Sequence, residues 1–295
     1  MNHQPQIVVN WHVTEACNYH CKFCYAHWVK DRAPELWRDN DACKSLVSEL
    51  SRFVSRNNLF WQGRVASRPR LNIAGGEPTL WKDELCKLVF WAVEAGFDVS
   101  LISNGSRPDA LLAIAPKVKI LGLSVDSTHD EGNLRIGRVD RKGRQINSED
   151  LISLVQELRA SNPALQIKVN TVVNAVNVDE DFSDLISRIA PDRWKILHML
   201  PSYKDDLAVG SVTFNQFVER HGAFKKILVV EDNTAMVHSY LMVDPHGRFF
   251  QNRLCEKGYD YSAPILDVGI EHAFRQIPFD FAKFLNRYEI SEGKS

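Results

Sequence analysis

Few features of this 295-residue sequence point to a membrane or to a polyanionic partner. It has no uncharged apolar run of membrane-spanning length, and its first six residues lack the cationic and apolar segments of an export signal. Its 36 basic and 37 acidic residues give a net charge of −1, which argues against a general nucleic-acid or membrane-binding surface. We therefore expect a soluble, cytoplasmic protein with neither partner.

The sequence also lacks the cysteine pattern of a secreted, disulfide-stapled domain. Six cysteines are few for a chain of this length, and three of them are bunched. Cys43 and Cys86 lie on amphipathic helices and are expected in the core. An apolar fraction of 44% is enough to bury a sizeable core. These features indicate a reducing compartment and an ordinary globular fold.

The bunched cysteines, Cys17, Cys21 and Cys24, follow an apolar run with the spacing Cys-x3-Cys-x2-Cys. A four-iron cluster normally takes one thiolate for each iron, so three thiolates leave one iron open to a small-molecule ligand. Two alternatives remain at this point. One is a zinc site completed by His20 or His27, and the other is three unrelated thiols.

Apolar runs and helical spacing alternate along the first 200 residues. Strands are predicted over 7–13, 70–74, 99–103, 120–125, 166–173 and 194–200, and helices over 41–57, 81–95, 109–114, 149–160 and 181–189. This alternation favours parallel βαβ units in an α/β barrel or an open sheet. Residues 201–295 are expected to form a C-terminal extension that closes the barrel, with helices over 214–221 and 270–275 and a hairpin around 244–247.

In parallel α/β folds, ligands bind at the carboxyl ends of the strands. The polar segments that follow the first four strands are the cysteine loop, residues 75–78, residues 103–105 and residues 124–127. The glycine pair Gly75-Gly76 admits close backbone approach, and Glu77 can accept from an ammonium or a ribose hydroxyl. By itself Gly-Gly-Glu-Pro could be only a turn, but one βα unit after the cysteines it favours a ligand site.

Two later strands carry cations at matching positions. Because side chains alternate along a strand, Lys168 and Asn170 share one face, as do Arg193 and Lys195. Three cations inside a barrel need counter-charge, and a polyphosphate would supply it. The alternative is that they lie at strand ends, where they reach solvent or pair with acids.

These segments together resemble the viperin family of radical S-adenosylmethionine (SAM) enzymes. The similarity runs from residue 9 to about residue 287 and includes Asn10, Cys17-Asn18-Tyr19, Gly75-Gly76-Glu77-Pro78, Ser103-Asn104-Gly105-Ser106, Asp126-Ser127, Ile136-Gly137-Arg138, Lys168-Val169-Asn170, Arg193-Trp194-Lys195, Ser239-Tyr240-Leu241 and Ile265-Leu266-Asp267-Val268-Gly269. The resemblance implies a partial (βα)6 barrel that binds a [4Fe-4S] cluster and SAM and receives electrons from an external carrier of the flavodoxin or ferredoxin type.

The resemblance also implies a reaction. A 5′-deoxyadenosyl radical would remove the ribose 4′ hydrogen of CTP, UTP or GTP, and loss of the 3′ hydroxyl would give a 3′-deoxy-3′,4′-didehydro nucleotide, a chain terminator that acts in antiviral or anti-phage defence. Three implied sets of residues follow: Cys17, Cys21 and Cys24 for the cluster; Gly75, Gly76, Glu77, Ser103, Asn104, Ser124 and Arg138 for SAM; and Asn10, Arg70, Lys168, Asn170, Arg193, Lys195 and Tyr240 for the nucleotide. Tyr240 is the implied donor of the closing hydrogen or proton.

The sequence departs from the family pattern at three points. Arg70 and Ala74 stand where the family has a lysine and a serine, and residues 259–264 lack a phosphate-binding lysine. Two other functions remain open. A radical SAM peptide maturase would commonly carry further cysteine clusters, whereas only Cys255 follows the sixth strand, and a non-catalytic metal or redox sensor would use the three cysteines with a histidine.

Overall fold

The computed structural model describes residues 6–24, 26, 34–55, 57–61, 68–200, 206–232, 237–253 and 258–285. Within them the chain forms two compact units. The first unit consists of the described residues that lie within 1–16, 28–101 and 235–295, and the second consists of those within 17–27 and 102–234. Cys255, His27 and Met236 lie outside the described residues.

The described strands and helices alternate along most of the chain. The strands are β1 (Val8–His12), β2 (Arg70–Ala74), β3 (Asp98–Ser103), β4 (Ile120–Ser124), β5 (Gln166–Val173), β6 (Arg193–His198), β7 (Leu228–Glu231), β8 (Leu241–Val243), β9 (Arg248–Asn252) and β10 (Tyr259–Pro264). The helices are α1 (Asn40–Phe53), α2 (Lys82–Glu94), α3 (Pro108–Ile114), α4 (Asp130–Ile136), α5 (Ser148–Ser161), α6 (Ser183–Ile189), α7 (Ser211–Arg220), α8 (Ile265–Val268) and α9 (Ile270–Phe274). This alternation of strands and helices confirms the predicted α/β class.

In the first unit the strand order is β10-β9-β8-β1-β2-β3, and β3 continues by two residues into the second unit. Strand β1 pairs in parallel with β2 and β8, and β2 pairs in parallel with β3. Strands β8 and β9 pair antiparallel, which confirms the predicted hairpin, and β10 adds to β9 in the antiparallel direction. An aromatic core that includes Phe53, Trp61, Phe249 and Phe284 is fully buried, and α1 closes over it.

In the second unit, β4, β5, β6 and β7 are parallel neighbours. Burial alternates along β6 and along the first half of β5. Val169 and Trp194 are fully buried, whereas Lys168 and Arg193 on the opposite face are half-buried. The sheet therefore has one apolar face and one face that carries charge, as the residue parity predicts.

Four of these strands and helices, α4, α8, β7 and β10, are not revealed by the periodicity. Helix α4 falls within a stretch dense in Arg and Gly, and its two turns are too short for a clear apolar period. Strand β7 has four residues, and β10 ends at Pro264, which is tolerated because β10 lies at the edge of the sheet. None of the helices within the described ranges combines the length and the apolar character required to cross a bilayer.

The predicted division of the chain after residue 200 remains a prediction. Strand β7 pairs with β6 in the second unit, and β8 pairs with β1 in the first unit. The last third of the chain therefore contributes strands to both units.

Candidate functional site

The cysteine loop, residues 17–24, belongs to the second unit. Its three cysteines are not in disulfides, and Cys17 is exposed while Cys21 and Cys24 are half-buried. The amide of Cys24 donates to the carbonyl of Cys21 at 3.1 Å and closes a tight turn. Burial raises the pKa of Cys21 to about 12 and also raises the pKa of Cys24. Burial therefore disfavours the thiolate, which is the form that a metal centre would bind and stabilise.

One side of the loop is fixed by amide side chains. Asn18 Nδ2 donates to Ser106 Oγ at 3.0 Å, and Asn104 Nδ2 donates to Asn18 Oδ1 at 2.9 Å. The Oδ1 atom of Asn104 accepts from the amide of Ser106 at 2.9 Å. The end of β3 therefore holds the loop in place, a structural role for Asn104 that the sequence did not reveal. Ser103 Oγ accepts from the amide of Gly105 at 3.1 Å.

The other side of the loop pairs with the end of α4 through the main chain. The amide of His20 donates to the carbonyl of Gly137 at 3.0 Å, and the amide of Lys22 donates to that of Ile136 at 2.9 Å. Gly137 has φ +79° and ends the helix in the left-handed conformation. The loop is thus bound on two sides within its own unit.

Arg138, a predicted SAM contact, is almost fully buried and already has anionic and carbonyl partners. Its Nη1 lies 2.7 Å from Asp126 Oδ2, its Nη2 donates to the carbonyl of Ser124, and its guanidinium carbon lies 5.7 Å from the ring centre of Tyr19. Burial raises the pKa of Asp126, and Arg138 opposes that shift. Asp126 Oδ1 also accepts from the amide of Val172 at 2.7 Å. This buried ion pair orients Arg138.

The thiols fit an iron–sulfur cluster better than a single zinc ion. Among the described residues, no three or more His, Cys, Asp or Glu side chains converge closely enough to hold one metal ion. A zinc site completed by His20 would require that convergence, whereas a four-iron cluster attaches each thiolate to a separate iron. His27, the other candidate zinc ligand, lies outside the described residues.

The cations of the second unit form one patch. Register pairs Lys168 with Arg193 and Asn170 with Lys195, and all four side chains share one face of the sheet. We call Lys168, Arg193 and Lys195 the cation patch. Within the described chain, Nδ2 of Asn170 is buried and has no hydrogen-bond partner, which is uncommon for an amide. Ser124 is the register neighbour of Asn170 on β4.

Glu231, which the sequence did not single out, lies against the cation patch. Its carboxylate is 2.6 Å from Lys195 Nζ, and both side chains are largely buried. The partner comes from β7, a strand that periodicity missed. For Lys195 the simpler alternative, pairing with an acid, is therefore present in the structure.

In the first unit, the glycine pair packs against the chain that leads to the cysteine loop. The amide of Gly76 donates to the carbonyl of Thr14 at 2.7 Å, and a Cβ on Gly76 would lie 2.1 Å from the carbonyl oxygen of Ala16. Gly75 has φ +143°, which side chains rarely adopt. The two glycines are thus required by close backbone packing, whatever ligand they also meet.

Glu77, the predicted acceptor for the SAM amine, is fully buried. Its Oε1 accepts from Thr79 Oγ1 at 2.6 Å and from the amide of Thr79 at 3.1 Å, so the carboxylate caps the short helix that follows.

The middle positions of β1, β2 and β3 carry a further polar feature, which we call the neutral polar row: Asn10, Asn72 and Ser100. Asn72 Nδ2 donates to Asn10 Oδ1 at 2.9 Å, and Ser100 Oγ donates to Asn72 Oδ1 at 2.7 Å. Only Asn10 was predicted as a site residue. Asn72 and Ser100 could have been found from the sequence as polar residues that alternate with apolar residues along β2 and β3.

The remaining predicted substrate residues of the first unit are Arg70 and Tyr240. Arg70 begins β2 opposite Asp98 on β3 and is half-buried. Tyr240 packs against the buried cluster that includes Phe250, and its carbonyl accepts from Gln251 Nε2 at 2.6 Å. The proposed role of the Tyr240 hydroxyl stays a prediction.

Comparison with known proteins decides the family. The sequence profile of the Radical SAM superfamily matches residues 11–189. The chain belongs to the radical SAM superfamily. It is 42% identical over 286 residues to an S-adenosylmethionine-dependent nucleotide dehydratase of Psychrobacter lutiphocae, covering 96% of this chain and 95% of that protein. A protein of the same name from Pseudoalteromonas ulvae is 37% identical, with 96% and 93% covered.

A solved structure shares the fold. The structure of native anSMEcpe with bound AdoMet superposes with a TM-score of 0.66 at 14% identity, covering 98% of this chain and 84% of that one. The predicted family and cofactors, a [4Fe-4S] cluster and SAM, are confirmed by this radical SAM membership. The nucleotide dehydratase relatives likewise confirm the predicted enzyme class over the maturase and sensor alternatives.

Proposed function

We propose that this radical SAM protein converts a nucleoside triphosphate, CTP, UTP or GTP, to its 3′-deoxy-3′,4′-didehydro analogue. When bound, the cluster and SAM supply a 5′-deoxyadenosyl radical. The substrate loses a hydrogen atom at the ribose 4′ position and hydroxide at the 3′ position, and a proton converts the hydroxide to water. A product that lacks a 3′ hydroxyl would terminate polymerase chains, in keeping with an anti-phage role.

The observation that carries this proposal is the cation patch beside the unpartnered amide of Asn170. Lys168, Arg193 and Lys195 lie on one face of two neighbouring strands, and Lys195 is largely buried beside Glu231. Cations that lie this close repel one another, and an anionic ligand relieves that repulsion. A triphosphate supplies several negative charges and many acceptor oxygens. We assign Lys168, Arg193 and Lys195 to the triphosphate and Asn170 to the same ligand.

For SAM we assign the cysteine loop and the polar strand ends. Cys17, Cys21 and Cys24 would hold three irons of the cluster and leave the fourth for the methionine end of SAM. The other proposed SAM contacts are Gly75, Gly76, Glu77, Ser103, Asn104, Ser124 and Arg138. Asp126 supports this assignment because it fixes the Arg138 guanidinium in a dry environment.

For the nucleoside we assign Asn10, Arg70 and Tyr240, with Tyr240 as the closing hydrogen or proton donor. Removing a hydrogen atom and a hydroxide leaves the sugar one electron short of the alkene. The reaction thus consumes one electron beyond the electron that cleaves SAM. This requirement supports an external one-electron carrier of the flavodoxin or ferredoxin type as the partner.

The test is anaerobic reconstitution with iron and sulfide, followed by incubation with SAM, a reductant and each nucleoside triphosphate. We expect 5′-deoxyadenosine to rise with a triphosphate, together with a nucleotide lighter by one water in mass spectrometry. Lys168→Ala should lose this stimulation, while Lys225→Ala, which changes an exposed lysine of the same unit, should keep it. Equal 5′-deoxyadenosine with and without every triphosphate would overturn the proposal.

A further inference from the structure

Two main-chain hydrogen bonds place the cysteine loop directly against the end of α4, from the amides of His20 and Lys22 to the carbonyls of Gly137 and Ile136. Cys21 lies between the two donors. We propose that Gly137 is a positioning residue for the iron–sulfur cluster, because its missing side chain permits this contact and the contact fixes where Cys21 presents its thiol. The inference rests on the proposed ligand role of Cys17, Cys21 and Cys24.

The approach at Gly137 is too close for any other residue. A Cβ built there would lie 2.4 Å from the carbonyl oxygen of His20 and 3.6 Å from the Cα of Cys21. The nearer atom belongs to the backbone and has no flexible end that could rotate away. A methyl group at Gly137 must therefore displace either the loop or the end of α4.

The end of α4 is the more firmly held of the two. The amide of Arg138 donates to the carbonyl of Asn133 at 2.8 Å, and its side chain is held by the buried carboxylate of Asp126. One turn earlier, a Cβ on Gly132 would lie 2.1 Å from Ser127 Oγ, which itself donates to Glu180 at 2.6 Å. A methyl group at Gly137 therefore displaces the loop, and with it Cys21.

A second glycine of the same unit, Gly143, is a control that separates the effect of this contact from the effect of a left-handed backbone. Gly143 has φ +73°, close to the +79° of Gly137, but a Cβ on Gly143 would meet nothing within 4 Å. Alanine at either position carries the strain of positive φ. Only alanine at Gly137 also meets the loop.

The experiment compares Gly137→Ala, Gly143→Ala and the unchanged chain after identical anaerobic reconstitution. We expect Gly137→Ala to release iron to a chelator roughly fivefold faster, the factor that about 1 kcal/mol produces, while Gly143→Ala matches the unchanged chain. The electron paramagnetic resonance spectrum of the reduced cluster should change only in Gly137→Ala. Iron retention and spectra that are the same for both variants would overturn the proposal.

A measurement on the metal-free protein distinguishes a local displacement of the loop from general misfolding. Hydrogen exchange should find the amides of His20 and Lys22 protected in the unchanged chain and in Gly143→Ala, but open in Gly137→Ala while the β5 amides stay protected. Unprotected amides in the unchanged chain would also overturn the proposal. Neither readout needs a nucleotide, so failure of the proposed dehydratase activity would leave both results interpretable.

Discussion

The neutral polar row of the first unit and the cation patch of the second both consist of side chains on one face of neighbouring strands, but they differ in how their polar groups are satisfied. In the row, Asn10, Asn72 and Ser100 bond to one another across three strands. Such groups satisfy their hydrogen bonds at little cost. In the patch, like charges lie side by side, and the carboxylate of Glu231 reaches Lys195 from an edge strand. Because like charges repel, the cation patch favours an anionic ligand. The neutral polar row satisfies its own hydrogen bonds and can therefore shape a site without binding such a ligand.

The largest expected effect concerns a buried charge of the second unit. Asp126→Asn removes the anion beside Arg138 and leaves that cation buried without this carboxylate. We expect a loss of about 3 kcal/mol in the free energy of unfolding of the metal-free protein. Denaturant unfolding measures it, with Asp150→Asn, on exposed helix surface, as the control. A loss below about 1 kcal/mol would show that this ion pair contributes no more than a surface pair to the stability of the protein.

The sequence predicted this region in part. The cysteine spacing and the strand parity located the loop and the cation patch, because both depend on short-range order along the chain. The bounds of β2 and β5 agree with the prediction residue for residue. Regular strands with apolar alternation are the segments where local pattern and tertiary packing agree.

What the sequence could not supply depends on pairing between distant segments. Glu231 reaches Lys195 only because β7 adds to β6, and β7 is too short to show a clear alternation. The bond from Ser100 to Asn72 requires the register of β2 and β3. The partner of Arg138 is set by a helix, α4, that the polar composition of its segment concealed.

The second prediction tests the charged character of the patch. Arg193→Ala should weaken nucleoside triphosphate binding by about 2 kcal/mol, roughly thirtyfold, because it removes a charge-assisted contact to the phosphates. Calorimetric titration with CTP, UTP and GTP measures the change, and Lys225→Ala serves as the control for a lost positive charge. Unchanged affinity would place the triphosphate elsewhere.

The third prediction uses a buried histidine in each unit. Burial lowers the pKa of His12 from 6.5 to about 4 and also lowers that of His221. The unfolded chain then binds protons below pH 6.5 that the folded chain does not, so stability falls as pH drops from 6.5 towards 4. From pH 7.5 to 5.5 we expect His12 alone to contribute a loss of about 1 kcal/mol.

Thermal unfolding of the metal-free protein at the two pH values measures this loss. His12→Gln should flatten the dependence, and His272→Gln, which changes an exposed histidine on α9, should not. A melting temperature that is the same at the two pH values would show that burial does not lower the pKa of these two histidines.

The smallest effect belongs to the neutral polar row. Ser100→Ala removes the donor to Asn72 Oδ1 and should cost about 1 kcal/mol in the free energy of unfolding, because a half-buried amide oxygen then regains only part of its hydration. Triphosphate affinity should stay within about twofold, since no charge is lost. A loss of affinity as large as that of Arg193→Ala would erase the distinction between the two regions. It would mean that the row binds the ligand directly and does not merely shape its site.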